Sequence, residues 1–494
     1  MNRYAGVLLS VTSLPSQYGI GCFDKAAYAF VDWLEKAGQR YWQILPLGAT
    51  AYGLPDNSPY QAFSTFAGNP YFIDPVTLVE EGLLTKKECD TCCPMGAEGA
   101  IDYEKQYKTR FTLLKKAFDR FVPDAAYSKF VEENAYWLED YSLFMAIKDN
   151  HNGVCWTQWE APLKKHDSEA LAVQKVLLSH RVDFYCFQQY MFDRQWKALK
   201  AYANEKGIKI IGDIPIYVSL DSSDAWANPE LFAFDEECVP TAVAGCPPDA
   251  FSATGQLWGN PLYRWEYHEK TGYAWWIARL KHCFEIYDVV RIDHFRGFES
   301  YYSIPYGDET AENGHWEKGP GMKLFNAVNA ALGEQEIIAE DLGYLTQEVL
   351  DLLKDSGYPG MKIMEFAFDP REAGNYLPHT YTNHCVAYTG THDNNTLLAW
   401  LDELDEEAIA FMDEYMGSGG HAKEEKVWDV IRLTLACVAD LAVIPMQDYL
   451  VLGKEARINQ PSTLGSNWTW RMASGAFTDE LAEKIGHLTE IFER

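Results

Sequence analysis

Three acidic residues each close an apolar, β-branched run in this 494-residue chain. Asp293 ends the run V-V-R-I-D, Glu340 follows I-I-A, and Asp393 ends a run that begins at Cys385. Such runs predict buried strands, and parallel strands bring the residues at their C-terminal ends to one face of a barrel. The three acids are spread over 100 residues of chain, so we expect them to share one active site rather than to be separate surface charges.

The side chains around Asp293 and Glu340 indicate how two carboxyl groups could divide a reaction. Arg291 lies two residues before Asp293, so both side chains point to the same face of a strand, and we expect the guanidinium to lower the pKa of Asp293. The apolar run before Glu340 predicts a dry setting that raises its pKa. One ionised and one protonated carboxyl group cleave glycosidic bonds; in retaining enzymes they lie ~5–5.5 Å apart and the ionised group forms a covalent ester. Asp393 would hold ring hydroxyls as the sugar distorts.

A Trp-, Pro- and Gly-rich segment could cover these acids. Residues 245–263 read G-C-P-P-D-A-F-S-A-T-G-Q-L-W-G-N-P-L-Y, and their prolines and glycines exclude a regular helix. A loop that carries Trp258 and Gln256 beside an active-site mouth predicts a lid. Aromatic residues make up 14% of the chain and mostly belong to cores, so Trp258 is the one ring that we single out for stacking on a sugar.

Eight apolar runs of strand length must position these residues. They cover residues 7–14, 41–47, 208–216, 288–293, 337–342, 361–366, 385–393 and 441–450. Amphipathic helices are predicted in several gaps, for example over 23–37 and over 346–356, where Thr346 fits an N-cap and Gly357 a stop. Eight parallel strands alternating with helices are typical of a (β/α)8 TIM barrel, so we predict one catalytic α/β domain over residues 1–494.

Two gaps between the predicted strands are too long for single helices. Residues 75–205 contain helical patterns around 105–121, 134–148 and 168–205, so we expect a mostly helical inserted subdomain. Residues 217–287 are rich in Trp, Pro and Gly, so we expect a loop-rich subdomain around the mouth that includes the lid loop 245–263. The sequence shows no internal repeat or linker, so both insertions are assigned to the barrel.

The balance of charge restricts the class of partner. The chain carries 42 Lys and Arg against 72 Asp and Glu, a net charge of −30. This charge repels nucleic acid and anionic membrane surfaces and disfavours an anionic substrate. The sequence contains no apolar run of ~18 residues and no signal-peptide pattern, so we expect a soluble, cytoplasmic protein.

The eleven cysteines are an odd number and mostly lie singly in apolar runs, as in reduced cytosolic proteins. One cluster, Cys89, Cys92 and Cys93, resembles half of a zinc site. A second pair with ligand spacing is absent from the sequence, and Pro94-Met95-Gly96 follow directly. We therefore expect a surface loop that holds no metal.

Several motifs, in order along the chain, resemble those of the amylomaltases, the 4-α-glucanotransferases of glycoside hydrolase family 77 in the α-amylase clan. They are S-P-Y-Q (58–61), A-G-N-P-Y (67–71), G-Q-L-W-G-N-P-L-Y (255–263), R-I-D-H-F-R-G (291–297), E-D-L-G (340–343), T-H-D-N (391–394) and I-P-M-Q-D (444–448). The resemblance runs from Leu8 to Arg471, nearly the whole chain. It implies Asp293 as nucleophile, Glu340 as general acid/base and Asp393 as transition-state stabiliser.

The same resemblance implies a set of substrate-binding residues and no cofactor or metal. The set comprises Ser58, Tyr60, Asp213, Gln256, Trp258, Arg291, His294, His392 and Asn459. Tyr60, Asp213, Arg291 and His392 would contact the donor sugar, and Trp258 would stack on the acceptor. The chain departs from the family at residues 53–60, G-L-P-D-N-S-P-Y, because members commonly have a glycine directly before D-S-P-Y. We expect this loop, and any second glucan-binding site near it, to differ.

These observations predict an enzyme that cleaves an α-1,4-glucan, keeps the glucosyl chain on Asp293 and passes it to the 4-hydroxyl of glucose or another glucan. We expect malto-oligosaccharides, glucose and α-glucans as its ligands, and a monomer or weak homodimer. One alternative is a retaining α-glucosidase or maltodextrinase, which would form no product longer than its substrate. A second alternative is a non-catalytic glucan-binding scaffold. The acids alone do not separate transfer from hydrolysis; the family resemblance favours transfer.

Overall fold

The computed structural model describes residues 3–50, 57–93, 99–248, 252–343, 345–368, 376–463 and 465–494. Three of the sequence segments with predicted features lie partly outside these ranges. They are residues 53–56 of the departing loop, residues 94–96 after the cysteine cluster, and residues 249–251 of the lid segment.

The strands belong to one parallel and one antiparallel sheet. They are β1 (Tyr4–Leu8), β2 (Tyr41–Gln43), β3 (Lys209–Pro215), β4 (Ala242–Cys246), β5 (Gln256–Pro261), β6 (Val289–Asp293), β7 (Ser300–Pro305), β8 (His315–Lys318), β9 (Ile337–Ala339), β10 (Gly360–Ile363), β11 (Cys385–Tyr388) and β12 (Leu441–Pro445).

Eight of these strands form the parallel sheet, in the order β10-β11-β12-β1-β2-β3-β6-β9. Its two outer strands meet, because the backbone N–H of Ala339 in β9 donates to the carbonyl oxygen of Pro359, directly before β10, at 3.0 Å. The sheet therefore closes on itself, and the predicted (β/α)8 TIM barrel is confirmed.

Helices connect the barrel strands and fill the insertions. They are α1 (Lys25–Lys36), α2 (Pro75–Glu80), α3 (Lys86–Cys92), α4 (Tyr103–Phe118), α5 (Ala125–Glu133), α6 (Ala135–Asn150), α7 (Ala161–Lys164), α8 (Ser168–Leu177), α9 (Ser179–Glu205), α10 (Ser223–Ala227), α11 (Trp265–Lys270), α12 (Ala274–Ile286), α13 (Met322–Leu332), α14 (Gln347–Ser356), α15 (Leu397–Glu403), α16 (Glu406–Met416), α17 (Lys423–Ala436), α18 (Met446–Tyr449) and α19 (Asp479–Ile491).

Local signals account for the bounds of these helices. Helix α1 begins after Asp24, whose carboxylate accepts the backbone N–H of Ala26 and so satisfies one of the free donors of the first turn. Helix α14 ends at Gly357, which adopts the left-handed conformation at φ 71°. Both helices lie within one or two residues of the bounds predicted from the sequence.

Several predicted strands extend too far in the C-terminal direction. The run 7–14 contains β1 only up to Leu8 and then a short 3-10 turn at Val11–Ser13. The run 441–450 is β12 up to Pro445 and continues as the short helix α18. The reason is burial: loops over the mouth of the barrel cover the residues beyond the strand ends, so the sequence stays apolar after the hydrogen-bonded ladder stops.

The two long gaps hold the insertions. Helices α2 to α9 occupy the gap between β2 and β3, as the helical patterns predict. The second gap contains more regular structure than its Pro and Gly content suggests, because β4 and β5 join β7 and β8 in a four-stranded antiparallel sheet of order β5-β4-β7-β8. The grouping of residues 75–205 and 217–287 as subdomains of one domain stays a prediction.

The side chains inside the barrel change from apolar to polar along the barrel axis. Its apolar cluster consists of Leu8, Ile211, Val289, Ile338, Met361, Ile363, Val386, Tyr388, Leu441 and Val443. Side chains alternate along a strand, so in β6 Arg291 and Asp293 follow Val289 on the same inner face. The core therefore turns polar towards the C-terminal ends of the strands.

Candidate active site

The barrel places the three acids at one end. Asp293 is the last residue of β6, Glu340 directly follows β9, and Asp393 lies five residues after the end of β11. All three strands belong to the same parallel barrel, so these residues lie at its C-terminal face, where such barrels carry their active sites. The structure thus brings together the acids that the sequence places far apart.

Arg291 lies between two of the carboxylates. Its Nη1 donates to both oxygens of Asp213, at 2.7 and 2.6 Å, and its Nη2 lies 3.1 Å from Oδ1 of Asp293. Arg291 and Asp213 are directly opposite each other in the β3–β6 pair and are 3% and 0% exposed. Asp293 is 31% exposed and opens towards the mouth. The buried pair therefore holds the base of the site, and Asp293 remains accessible.

Backbone donors hold the carboxyl group of Glu340. The N–H of His294 donates to its Oε2 at 2.7 Å, and the N–H of Leu342 donates to its Oε1 at 2.8 Å. His294 adopts the left-handed conformation at φ 55°, which is rare outside glycine and aims its amide at Glu340. The backbone after the nucleophile candidate thus orients the acid candidate.

The pKa values of Glu340 and Asp293 differ. Burial, and then repulsion from Asp293, raises the pKa of Glu340 to about 8. Burial raises the pKa of Asp293 to about 6, although Arg291 lowers it. Arg291 lowers the pKa of Asp293 as expected, but the net pKa still lies above the ordinary range, because lost hydration outweighs a guanidinium that Asp213 already neutralises. Near neutral pH, Asp293 is the ionised acid and Glu340 the protonated one.

Tyr60 and His392 form a second wall of the site. The hydroxyl of Tyr60 donates to Oδ2 of Asp213 at 2.8 Å and lies 3.0 Å from Nε2 of His392. The two rings stack with centroids 5.2 Å apart. Ser58 supports this arrangement, because its hydroxyl oxygen accepts the backbone N–H of Tyr60 at 3.3 Å. Ser58 therefore shapes the turn that presents Tyr60.

A residue from the C-terminal part of the chain holds the carboxylate of Asp393 in place. Nδ2 of Asn459 donates to its Oδ1 at 2.6 Å, and Nε2 of His392 lies 3.4 Å from the same oxygen. The side chain of Asp393 is 45% exposed, so it also opens to the mouth. The site thus assembles residues from Ser58 to Asn459.

Two contributors were missed by the sequence analysis. Trp468 packs against the rings of both Tyr60 and His392, with centroids 5.8 Å from each. Arg457 donates to the backbone carbonyl oxygen of Asp393 at 2.8 Å. A weak signal existed for Arg457, which lies two residues before the predicted Asn459 in the run E-A-R-I-N (455–459). Trp468 was one of 16 tryptophans and had no distinguishing pattern.

The lid segment forms a hairpin between β4 and β5 in its described part. Gln256 pairs with Cys246 across the two strands, and its Oε1 accepts the indole N–H of Trp258 at 3.1 Å. The indole is half-buried and meets the ring of His294 edge-on at 4.9 Å. Gln256 therefore orients Trp258 beside the residue that follows Asp293.

The cysteine cluster differs from its prediction. Cys89 and Cys92 lie in helix α3, and the expectation of a surface loop is wrong for them. The capping box of Thr85 and Glu88 starts this helix, which ends at Cys92, before the Pro and Gly signals in the sequence. Among the described residues, no group of three His, Cys, Asp or Glu is placed to hold a metal ion. None of the described helices has the length and apolarity needed to cross a membrane.

Comparison with known proteins gives consistent matches. A sequence profile for glycoside hydrolase family 77, described as 4-alpha-glucanotransferase, matches residues 9–477. The chain is 50% identical to a 4-alpha-glucanotransferase of Clostridium butyricum, over 98% of this chain and 100% of the relative. It is 49% identical to a 4-alpha-glucanotransferase of Streptococcus pneumoniae serotype 4, over 100% and 97%. A solved amylomaltase from Streptococcus agalactiae in complex with acarbose matches with a TM-score of 0.96 and 40% identity, over 100% of both chains.

Proposed function

The chain belongs to the 4-alpha-glucanotransferase family, glycoside hydrolase family 77, and on this premise we propose that it transfers α-1,4-glucan segments by a retaining, two-step reaction. The observation that carries the mechanism is the pair Asp293 and Glu340, one ionised and one protonated near neutral pH, at the mouth of the barrel. This is the arrangement that a glycosyl-enzyme mechanism requires.

In the first step the carboxylate of Asp293 attacks C1 of the donor glucose. Glu340 gives its proton to the glycosidic oxygen as the bond from C1 to that oxygen breaks. The products are a glucosyl ester on Asp293, a free sugar that leaves with a 4-hydroxyl, and an ionised Glu340. The two backbone donors on Glu340 stabilise the carboxylate that forms.

In the second step the 4-hydroxyl of an acceptor gives its proton to Glu340 and attacks C1. The ester bond to Asp293 breaks, and both acids return to their starting states. Two inversions at C1 retain the α-configuration. Water is the competing acceptor, so the fate of the ester depends on which acceptor reaches it.

The remaining polar groups of the site suit the donor sugar. Asp393 projects to the mouth between Asn459 and His392, so we propose that it binds ring hydroxyls and stabilises the distorted transition state. Tyr60, Asp213, Arg291 and His392 form one connected wall against which the donor ring would lie. Nε2 of His294 is buried and has no hydrogen-bond partner among the described residues, so it is available to a sugar hydroxyl.

The ligands we propose are malto-oligosaccharides, glucose and α-glucans such as maltodextrin, glycogen or starch. The relative solved with acarbose supports a glucan-like ligand. Each of the eleven cysteines is free, which supports a reducing compartment such as the cytoplasm. We propose a monomer or weak homodimer, and neither nucleic acid nor membrane as a partner, because the net charge is −30.

Incubation with pure maltotriose, followed by chromatography, tests the function. Transfer produces glucose together with chains longer than maltotriose. A hydrolytic α-glucosidase or maltodextrinase yields only shorter products, and a glucan-binding scaffold yields none. Accumulation of glucose and maltose without longer chains would overturn the proposed transfer.

The pH profile of maltotriose disproportionation is expected to be bell-shaped in kcat/KM. Below its pKa of about 6, Asp293 takes up a proton and stops acting as a nucleophile. Above its pKa of about 8, Glu340 loses the proton that the leaving group needs. Both limbs therefore lie above the ordinary carboxyl range of ~4. A rate that keeps rising up to about pH 9, with the melting temperature unchanged, would contradict the assignment of Glu340 as the acid.

Trp258→Ala is expected to raise the ratio of hydrolysis to transfer while total activity falls. An acceptor ring that stacks on the indole buries C–H surface at ~25 cal/mol per Å², whereas water gains nothing there. Both product classes from maltotriose are measured together with a thermal melt.

The control for this variant is Trp428→Ala. Trp428 is also half-buried, but it lies on α17 against the ammonium group of Lys484, away from the mouth. If Trp258 only stabilises the fold, its variant lowers the melting temperature and reduces both reactions in parallel, like the control. An unchanged product ratio would refute the acceptor role.

A further inference from the structure

A buried carboxyl group that the proposed mechanism does not use lies beneath the loop that carries Asp393. Glu365 follows β10 in a 3-10 turn and is 7% exposed. Its backbone N–H donates to the carbonyl oxygen of Thr389 at 3.1 Å, and its Oε1 lies 2.7 Å from the point where a Cβ on Gly390 would stand. The carboxyl group therefore occupies the space that Gly390 leaves free.

Asn394 connects this carboxyl group to the loop. Its Oδ1 accepts both the backbone N–H and the hydroxyl of Thr391, each at 2.9 Å. Because the amide oxygen is used in this way, the NH2 group is left to donate to Glu365, and this hydrogen bond lowers the pKa of the carboxyl group without outweighing its burial. Asn394 is therefore bonded both to Thr391 and to Glu365, and His392 and Asp393 lie between Thr391 and Asn394 in the loop.

Asp448 holds the same loop from its two ends. Its Oδ2 accepts the hydroxyl of Thr389 at 2.6 Å, and its Oδ1 accepts the backbone N–H of Leu397, the first residue of α15, at 2.8 Å. Asp448 is 1% exposed and belongs to the I-P-M-Q-D motif, to which the sequence analysis assigned no role. Two buried acids thus support the segment 389–397.

The charges around Glu365 disfavour a second carboxylate. The charged groups that act on it are Asp448, Arg457 and Glu403. Arg457 is committed to the backbone carbonyl oxygens of Asp393 and Asn459, at 2.8 Å each. Burial, and then repulsion from Asp448, raises the pKa of Glu365 well above its ordinary range. A protonated Glu365 both donates and accepts hydrogen bonds, as an amide does.

We propose that Glu365 is a positioning residue for Asp393, acting through hydrogen bonds to the loop that carries Thr389 and Asn394. The proposal rests on the role given above to Asp393 as transition-state stabiliser. A displaced loop would move the Asp393 carboxylate away from the distorted sugar, and a misplacement of ~1 Å can reduce a rate by ~10²-fold.

Two substitutions separate the hydrogen bond from the charge. Glu365→Gln keeps size and polarity without ionising, so kcat on maltotriose should stay within about threefold of wild type, since an amide replaces a neutral acid. Glu365→Leu keeps the volume but removes the link, so kcat should fall by about 10- to 100-fold. If Glu365→Gln loses as much activity as Glu365→Leu, the hydrogen-bonding role is overturned.

A double-mutant cycle tests whether the effect passes through Asp393. In an Asp393→Asn background, Glu365→Leu should cause little further loss, because the group it positions is already gone. The control is Gln39→Leu, which removes another buried polar group that bonds Ala37 and Thr489 between α1 and α19. That control should lower the melting temperature without changing kcat. A Glu365→Leu effect that multiplies in full with Asp393→Asn would show a merely structural role.

Two further results keep the test decisive. If Glu365→Leu does not fold, Asn394→Ala removes the link to Glu365 together with the two hydrogen bonds to Thr391, so its loss should be at least as large and should show the same non-additivity. If Asp393→Asn alone retains wild-type activity, the proposed role of Asp393 fails. That outcome is distinct from additive losses, which refute the positioning role alone.

Discussion

Asp293→Asn is expected to abolish transfer, with a loss of at least ~10³-fold in kcat on maltotriose, or about 4 kcal/mol of transition-state stabilisation. An amide oxygen at this position forms no stable glucosyl ester, so the two-step route is closed. The fold should survive, because Arg291 keeps both of its hydrogen bonds to Asp213 at the base of the site. The change also removes a charge that raises the pKa of Glu340, so that pKa should fall.

The same strand offers a matched control for this variant. Asp288 directly precedes β6 at the opposite end of the barrel, where Oδ1 pairs with the ammonium group of Lys200 at 2.8 Å. Asp288→Asn makes the same chemical change at the other end of this strand, directly before its first residue, and should leave kcat close to wild type. Disproportionation rates and thermal melts are compared for both variants. Residual activity of Asp293→Asn above about one hundredth of wild type, with an unchanged melt, would count against Asp293 as nucleophile.

Glu340→Gln is expected to act selectively on substrates with poor leaving groups. On maltotriose the loss should reach ~10²–10⁴-fold, because the departing sugar is not protonated. On an aryl glucoside whose phenol leaves without protonation, ester formation should be far less affected. Breakdown of the ester still needs a base to deprotonate the acceptor, so added azide, which needs none, should restore turnover of the aryl substrate.

The neighbouring acid provides the control for packing. Asp341 is also buried, and its Oδ1 accepts the backbone N–H of Met361 at 2.6 Å, at the start of β10. Asp341→Asn can keep this acceptor, and any loss it causes should be equal for both substrate types. Glu340→Gln turns one side-chain oxygen into an NH2 group that cannot accept from His294 or Leu342, so some local strain is expected as well. Equal losses on both substrates, without rescue by azide, would remove Glu340 from the acid/base role.

Local charge in a sequence is a poor guide to the pKa of a carboxyl group where burial by distant residues competes with it. Arg291 lies next to Asp293 in the strand pattern, and that proximity alone suggests a lowered pKa for the carboxyl group. The structure shows that Asp213, which is 78 residues away in sequence, already binds this guanidinium through both oxygens. Burial of the whole cluster then raises the pKa of Asp293, an effect that sequence spacing cannot reveal.

Local patterns in the sequence were sufficient to predict the strands and helices of the fold. Periodicity predicted the strands that position Asp293 and Glu340, and the helix that stops at Gly357, because each depends on neighbours a few residues apart. The number and spacing of apolar runs were then enough for the (β/α)8 class. Strand ends were less well predicted, because apolar residues continue into the buried loops of the mouth.

The tertiary structure alone decided which groups surround the acids and how they are held. Closure of the barrel brings Tyr60, Asp213 and His392 into one hydrogen-bonded wall, and sets Trp468 against it. It also places Glu365 and Asp448 under the loop of Asp393. These contacts join residues from distant parts of the chain, and none of them imposes a period or a local preference on the sequence. The sequence therefore predicts which carboxyl groups would react. Their pKa values, and the residues that hold them in place, depend on burial and on closure of the barrel.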